Sequence, residues 1–123
     1  MTVNLFDVSD TVVLVSGGSR GIGLAMAEAF AQQGAKVIIT GRNEPTLNEA
    51  CNNADPADHP ITYQSCDVAD TNAINSCVAA VLAQHGRIDT LINCAGINKR
   101  MPVTDYTPDD FDQILNINLR GAF

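Results

Sequence analysis

Eight residues near the start of the chain, Ser16-Gly17-Gly18-Ser19-Arg20-Gly21-Ile22-Gly23, combine four glycines with one base. A phosphate group can approach a helix N-terminus only where no side chain covers the backbone amides, which is the chemical use of glycine at such a place. The spacing is G-x3-G-x-G and differs from the common dinucleotide fingerprint G-x-G-x-x-G. A P-loop phosphate binder is excluded, because no Lys-Ser/Thr pair follows the turn. A glycine turn alone is weak, but one set between an apolar strand and an amphipathic helix is far more specific.

The flanking segments supply that setting. Thr11 to Ser16 reads as a strand, and Gly21 to Gln33 as a helix with Ile22, Met26, Ala29 and Phe30 at helical spacing, stopped by Gly34. Lys36 to Thr40 is a second, β-branched strand, followed by a short helix capped by Asn43, with Pro45 in its first turn. After a loop from Asn53 to Pro60 comes a third strand, Ile61 to Cys66. Asp70 opens a helix striped by Ile74, Cys77, Val78, Val81 and Leu82 and closed by Gly86, and Ile88 to Asn93 is a fourth strand. Thr107-Pro108-Asp109-Asp110 starts a last helix, whose apolar stripe of Phe111, Ile114, Leu115, Ala122 and Phe123 runs into the final residue. Alternating strands and helices with continuously apolar strands predict an α/β fold: a doubly wound parallel sheet with helices on both faces. The running-on stripe and an apolar edge at the fourth strand mark the chain, in this reading, as a fragment cut within the helix after strand four.

Composition bounds the rest. The chain has 123 residues, 46% hydrophobic and 17% charged, enough for one globular domain. Its apolar runs are too short to cross a bilayer, and the opening segment Met1 to Asp10 carries two Asp and no base, unlike a secretory signal. A cytoplasmic protein with no membrane partner is the expectation. A net charge of −7 argues against nucleic acid. The four cysteines Cys51, Cys66, Cys77 and Cys94 form no C-x-x-C pair, so neither zinc nor a redox dithiol is indicated and reduced, buried thiols are expected.

Seven bases in so acidic a chain are worth locating. The second strand ends Ile38-Ile39-Thr40-Gly41-Arg42, where an NAD-binding unit would carry an acid for the ribose 2′-hydroxyl. The first acid here is Glu44, and Arg42 stands before it. A guanidinium grips a 2′-phosphate with two hydrogen bonds whereas a carboxylate repels it, and Arg20 adds a second positive charge from the turn. NADP(H) is therefore favoured over NAD(H). Lys99 and Arg100 follow the fourth strand, where they are either ordinary solvated bases or an attraction for a carboxylated substrate.

With these features in place the whole chain resembles the short-chain dehydrogenase/reductase family. Ser16 to Gly23 is similar to its T-G-x-x-x-G-x-G turn with Ser for Thr, and Asp67-Val68 to its adenine-contacting pair. Asn93-Cys94-Ala95-Gly96 resembles N-N-A-G, with Cys94 replacing the second Asn, and Asn116 to Gly121 the helix segment that places the family's catalytic Asn on Asn118. The resemblance implies a Rossmann sheet of strand order 3-2-1-4 and nucleotide contacts from Gly17, Ser19, Arg20, Gly21, Ile22, Gly23, Arg42, Asp67, Val68, Asn93, Ala95 and Gly96. Asp67 is alternatively a loop or capping acid. Asn93 reads as more structural than catalytic. Helical spacing sets Asn118 on the apolar stripe of the last helix, where a buried amide is either functional or simply satisfied.

The family's proton transfer requires Y-x-x-x-K and a Ser. Here Tyr63 is followed four places on by Asp67 and Tyr106 by Asp110, and the only lysines are Lys36 and Lys99. The chain thus reads as the cofactor-binding half of an enzyme interconverting a secondary alcohol and a ketone, inactive alone. The competing reading is a non-catalytic nucleotide-binding or interaction module. The segment Gly96 to Pro102 resembles the sugar-acid branch of the family, such as gluconate 5-dehydrogenases, with 3-oxoacyl carrier-protein reductases as the alternative. Family members are dimers or tetramers, and the resemblance extends that expectation to the complete protein.

Overall fold

The computed structural model describes residues 3–123; Met1 and Thr2 of the acidic opening segment lie outside the described residues. Four strands form one parallel sheet: β1 (Val12–Ser16), β2 (Lys36–Gly41), β3 (Thr62–Ser65) and β4 (Thr90–Asn93). Their order is β3-β2-β1-β4, the order expected. Between them run α1 (Gly21–Gln32), α2 (Glu44–Asn53) and α3 (Thr71–His85), and α4 (Pro108–Leu115) follows β4.

The register explains why the centres of β1 and β2 are apolar on both faces. Val13 stands opposite Val37 and Val15 opposite Ile39, and these join Ala27, Ala31, Leu47 and Ala50 of α1 and α2 in one core. The intervening Val12, Leu14 and Ile38 point the other way and meet Val81 of α3. A side-chain period of two thus buries both faces of the central strands. The third and fourth strands are shorter than the apolar runs suggest, but Ile61 is still buried and Ile88 packs on the second core.

Two expectations are corrected. The buried face of α1 is Gly23, Ala27 and Ala31, whereas Ile22 and Met26 are 75% and 42% exposed. The helix lies so close to the turn before it that a Cβ at Gly23 would come within 2.1 Å of the Gly17 carbonyl oxygen. Where the helix meets the turn only glycine fits, whereas Phe30 of the expected stripe, with Leu24, packs partly buried against the core. The last helix does not run straight: residues Asn116–Arg120 form a π turn in which the Gly121 amide donates to the Asn116 carbonyl at 2.9 Å. Within it Ile117 is buried at 6% exposure and Asn118 is exposed, as are Phe111 and Leu115 of the expected stripe in α4 itself.

Side chains cap three of the helices. Asn43 accepts from the Thr46 amide, Asp70 from the Asn72 and Ala73 amides, and Thr107 forms a reciprocal capping box with Asp110. Gly86 ends α3 at φ +77°, in the left-handed region glycine permits.

Candidate functional site

At the carboxyl ends of the strands the chain leaves β1 through Gly17, at φ +80°. The Gly17 and Gly18 amides both donate to the Thr40 carbonyl at 3.1 Å, which straps the turn to the end of β2. Those two amides are therefore spent, and the open donors lie further on. A Cβ on Gly17 would stand 2.5 Å from the Ala95 amide nitrogen, so turn and post-β4 segment are in contact through bare backbone.

Unlike the other three helices, α1 begins without a side-chain cap: Arg20 holds the N-cap position and makes no capping hydrogen bond. Gly21 follows at φ +60° with no atom within 4 Å of where a Cβ would be. The first-turn amides of α1 have no intrahelical acceptors, and the helix dipole makes this end positive. The local sequence thus builds an anion seat by omission.

The seat opens into a cleft of about 290 Å³ between the ends of β2, β1 and β4. Gly17, Ser19 and Arg20 line it from the turn after β1, Arg42 from just past β2, Asp67 and Val68 from just past β3, and Ala95 and Gly96 from just past β4. Thr40, Gly41, Cys66, Cys94, Ile97 and Ile117 also line it and belong to none of the motifs' expected contacts. Each except Ile117 sits at a strand end or just past one, a signal present in the topology alone. Gly21, Ile22 and Gly23 form the head of α1 outside the lining. Asn93 does not face the cleft. Alternation along β4 puts it with Leu91 on the Leu14 side, where it borders a separate, mainly apolar cavity of about 280 Å³.

Arg20 and Arg42 also share a depression with Ser19, Asn43 and Thr46 at the edge of the cleft. Among the described residues neither guanidinium pairs with a carboxylate, whereas Arg87 is held by Asp89 at 2.7 Å and Lys99 by Asp110 at 2.6 Å. The Lys99 pairing corrects the expectation of two free bases after β4, and Arg100 alone remains. Lys99, followed by Thr107, holds the Asp110 carboxyl down at about 2. Tyr106 ties the same segment by donating its hydroxyl to the Lys99 carbonyl.

Asp67 Oδ1 accepts from the Ala69 amide at 2.9 Å, so it is a turn-forming acid that also lines the cleft, while Asp70 does the capping. Asn118 Oδ1 accepts from the Ile97 amide and its Nδ2 donates to the Ile97 carbonyl, both at 2.8 Å. Its amide is satisfied by backbone, and Gly96 keeps the approach open, since a Cβ there would lie 3.2 Å from Oδ1. All four cysteines are free thiols: Cys66 and Cys77 are buried, Cys51 and Cys94 half-buried. Burial pushes Cys66 up to about 11. No described helix is long and apolar enough to cross a membrane.

Comparison with known proteins gives this geometry a context. A family model described as short chain dehydrogenase matches residues 11–123. Gluconate 5-dehydrogenase of Gluconobacter oxydans is 37% identical over 98% of this chain and 47% of its own length. D-threitol dehydrogenase of Mycolicibacterium smegmatis is 34% identical over 96% of this chain and 45% of its own. A short chain dehydrogenase structure from Bacillus anthracis superposes with a TM-score of 0.86 at 37% identity, covering 92% of this chain and 47% of that one. The chain spans about half the length of the curated relatives it matches. Its matched family model, its sheet order and its glycine turn agree: the chain belongs to the short chain dehydrogenase family, whose members are oxidoreductases that bind NAD(P).

Proposed function

We propose that the chain is the cofactor-binding half of an NADP(H)-dependent oxidoreductase that interconverts a secondary alcohol and a ketone. One observation carries this reading: the uncapped head of α1 lies beside two guanidiniums that no described carboxylate neutralises. An anion with a pyrophosphate and a further phosphate fits that pairing of a dipole end with two bases.

In this reading Gly17, Ser19, Gly21, Ile22 and Gly23 let the pyrophosphate reach the amides of the turn and of α1. Arg42, with Arg20, takes the 2′-phosphate. Asp67 has one carboxylate oxygen outside its turn hydrogen bond and offers it to the adenine amino group, beside Val68. Ala95 and Gly96 are small enough for a ribose to close on the end of β4. Asn93 supports the sheet from the opposite face. Asn118 fixes the Ile97 backbone at the cleft and is proposed to help hold the relay water. The bound nicotinamide would supply or accept the hydride. The proton donor must come from a Tyr-Lys pair that these 123 residues do not contain, so the chain alone is expected to be inactive.

The substrate proposal is a small alcohol or carbonyl compound, a sugar acid first and a 3-oxoacyl thioester second. Two relatives named for gluconate and D-threitol support the polyol side. The pairing of Lys99 with Asp110 weakens the case for a carboxylate anchor and leaves Arg100 to supply it. A homodimer or homotetramer is proposed for the complete enzyme. The second reading is a nucleotide-binding or interaction module without turnover.

Titration with both nucleotides tests the cofactor. NADP⁺ is expected to bind at least roughly tenfold more tightly than NAD⁺, with Arg42→Ala erasing the difference. Equal affinities, unaltered by that substitution, would leave NAD(H) as the cofactor. Turnover on a keto-gluconate by a longer chain carrying Y-x-x-x-K, and none by such a chain on any alcohol, separates enzyme from module.

A further inference from the structure

We infer that Tyr63 is a positioning residue for nucleotide choice: by holding the Glu44 carboxylate, it keeps Arg42 free for the extra phosphate. The inference rests on the NADP(H) reading above and names a residue that does not itself line the cleft.

Glu44 is the one acid in the first turn of α2 and stands two positions after Arg42. It is the carboxylate nearest to that guanidinium along the chain, yet the two form no ion pair. Instead the Tyr63 hydroxyl donates to Glu44 Oε1 at 3.2 Å. Tyr63 lies in β3 opposite Ile39 of β2, and its ring packs against the core shared by the sheet and α1 and α2. A ring fixed by core packing is a rigid post, whereas Glu44 is an exposed, flexible side chain. The positive N-terminal end of α2 adds a second hold on the carboxylate. Burial, and then the Glu44 hydrogen bond, raise the phenol above its ordinary value, which keeps it protonated and donating at neutral pH.

Without the hydroxyl, the carboxylate loses its one side-chain hydrogen bond among the described residues, and Arg42, two positions before it, is the base nearest to it along the chain. An Arg42–Glu44 pair would occupy the fork that a phosphate needs and would set a negative charge beside it. A nucleotide without the 2′-phosphate would not sense the change.

The test measures dissociation constants of the chain for NADP⁺ and NAD⁺ in four forms: unsubstituted, Tyr63→Phe, Tyr63→Phe with Glu44→Gln, and Arg42→Ala. Tyr63→Phe is expected to weaken NADP⁺ roughly three- to tenfold and leave NAD⁺ unchanged, as loss of one exposed charge-assisted hydrogen bond would. Adding Glu44→Gln is expected to restore NADP⁺ affinity. A preference unmoved by Tyr63→Phe but lost in Arg42→Ala overturns the role of Tyr63 and spares the cofactor reading. Equal weakening of both nucleotides, or no recovery in the double variant, also overturns it. A preference unmoved by Arg42→Ala overturns the cofactor reading and this inference together.

Discussion

Asn118 and Ile97 face each other as two peptides in neighbouring strands do, amide to carbonyl and carbonyl to amide, both at 2.8 Å. The side chain comes from the π turn and the backbone from the segment after β4, 21 residues apart. A single side chain therefore joins the last helical segment to the rim of the cleft. Asn118→Ala removes both bonds and is expected to cost about 1–2 kcal/mol in denaturant unfolding. Hydrogen exchange should accelerate at the Ile97 amide more than at the strand amides. Asn118→Asp keeps the acceptor but sets a carboxylate oxygen against the Ile97 carbonyl, so it should not rescue. Unchanged exchange at Ile97 in Asn118→Ala would show that the pairing does not hold the segment.

The glycines of the turn should separate fold from ligand. At Gly17 both the positive φ and the Ala95 backbone, which would lie 2.5 Å from an added methyl, oppose substitution, so Gly17→Ala is expected to destabilise by about 2–4 kcal/mol. At Gly21 the φ of +60° is the only obstacle, because no atom lies within 4 Å. Gly21→Ala should cost about 1–2 kcal/mol and still fold. If the head of α1 seats a phosphate, the same variant should lose nucleotide affinity by roughly tenfold or more. Thermal unfolding with and without NADP⁺ reads both effects. A Gly21→Ala chain that gains as much stability from the nucleotide as the parent would remove phosphate from that seat.

The alternation of apolar strands with capped helices makes the fold legible, and the caps at Asn43, Asp70 and Thr107 fall where side-chain chemistry requires them. Periodicity fails where backbone geometry intervenes. The Ile22–Met26 stripe reads as the core face of α1, but the fully buried positions are Gly23, Ala27 and Ala31, the turn backbone leaves no room for a Cβ at Gly23, and of the stripe only Phe30 packs against the core. A 3.6-residue count puts Asn118 on a stripe read as buried, yet Phe111 and Leu115 of that stripe are exposed in α4 itself, and in the π turn the buried residue is Ile117. Ion pairing is equally invisible to spacing: Lys99 looks free along the chain, yet Asp110, eleven residues on, claims it. The glycine turn is legible as a site, but which of its amides remain open depends on the Thr40 carbonyl, a contact across the sheet.

Acid should loosen the segment between β4 and α4. The Asp110 carboxyl accepts from Lys99 Nζ and from the Thr107 amide and hydroxyl, and its value is lowered from 3.8 to about 2. A carboxyl held low in the folded chain contributes stability that is present above pH 3.8 and lost as the pH falls toward 2. The melting temperature of Asp110→Asn should start lower near neutrality and fall less steeply than the parent's across that window. Lys99→Met should reduce the steepness in part, because Thr107 remains. Parallel curves for parent and Asp110→Asn would mean that the ionised Asp110 carboxylate contributes nothing to holding the segment.

Thiol reactivity offers a check on the floor of the cleft. Cys66 and Cys77 are buried, and burial raises both; Cys66, at about 11, has roughly one thiol in a thousand ionised at pH 8. Because the thiolate is the nucleophile, iodoacetamide should label these two last. Cys94 is half-buried, lines the cleft and has the Met26 sulfur 3.9 Å away, so it should label first, ahead of Cys51, which burial also raises. Peptide mapping over time gives the order. Saturating NADP⁺ should slow labelling at Cys94 several-fold while leaving Cys51 unchanged, since Cys94 lines the cleft and Cys51 does not. Protection of both to the same degree would point to general tightening of the chain, and protection of neither would take the nucleotide out of this cleft.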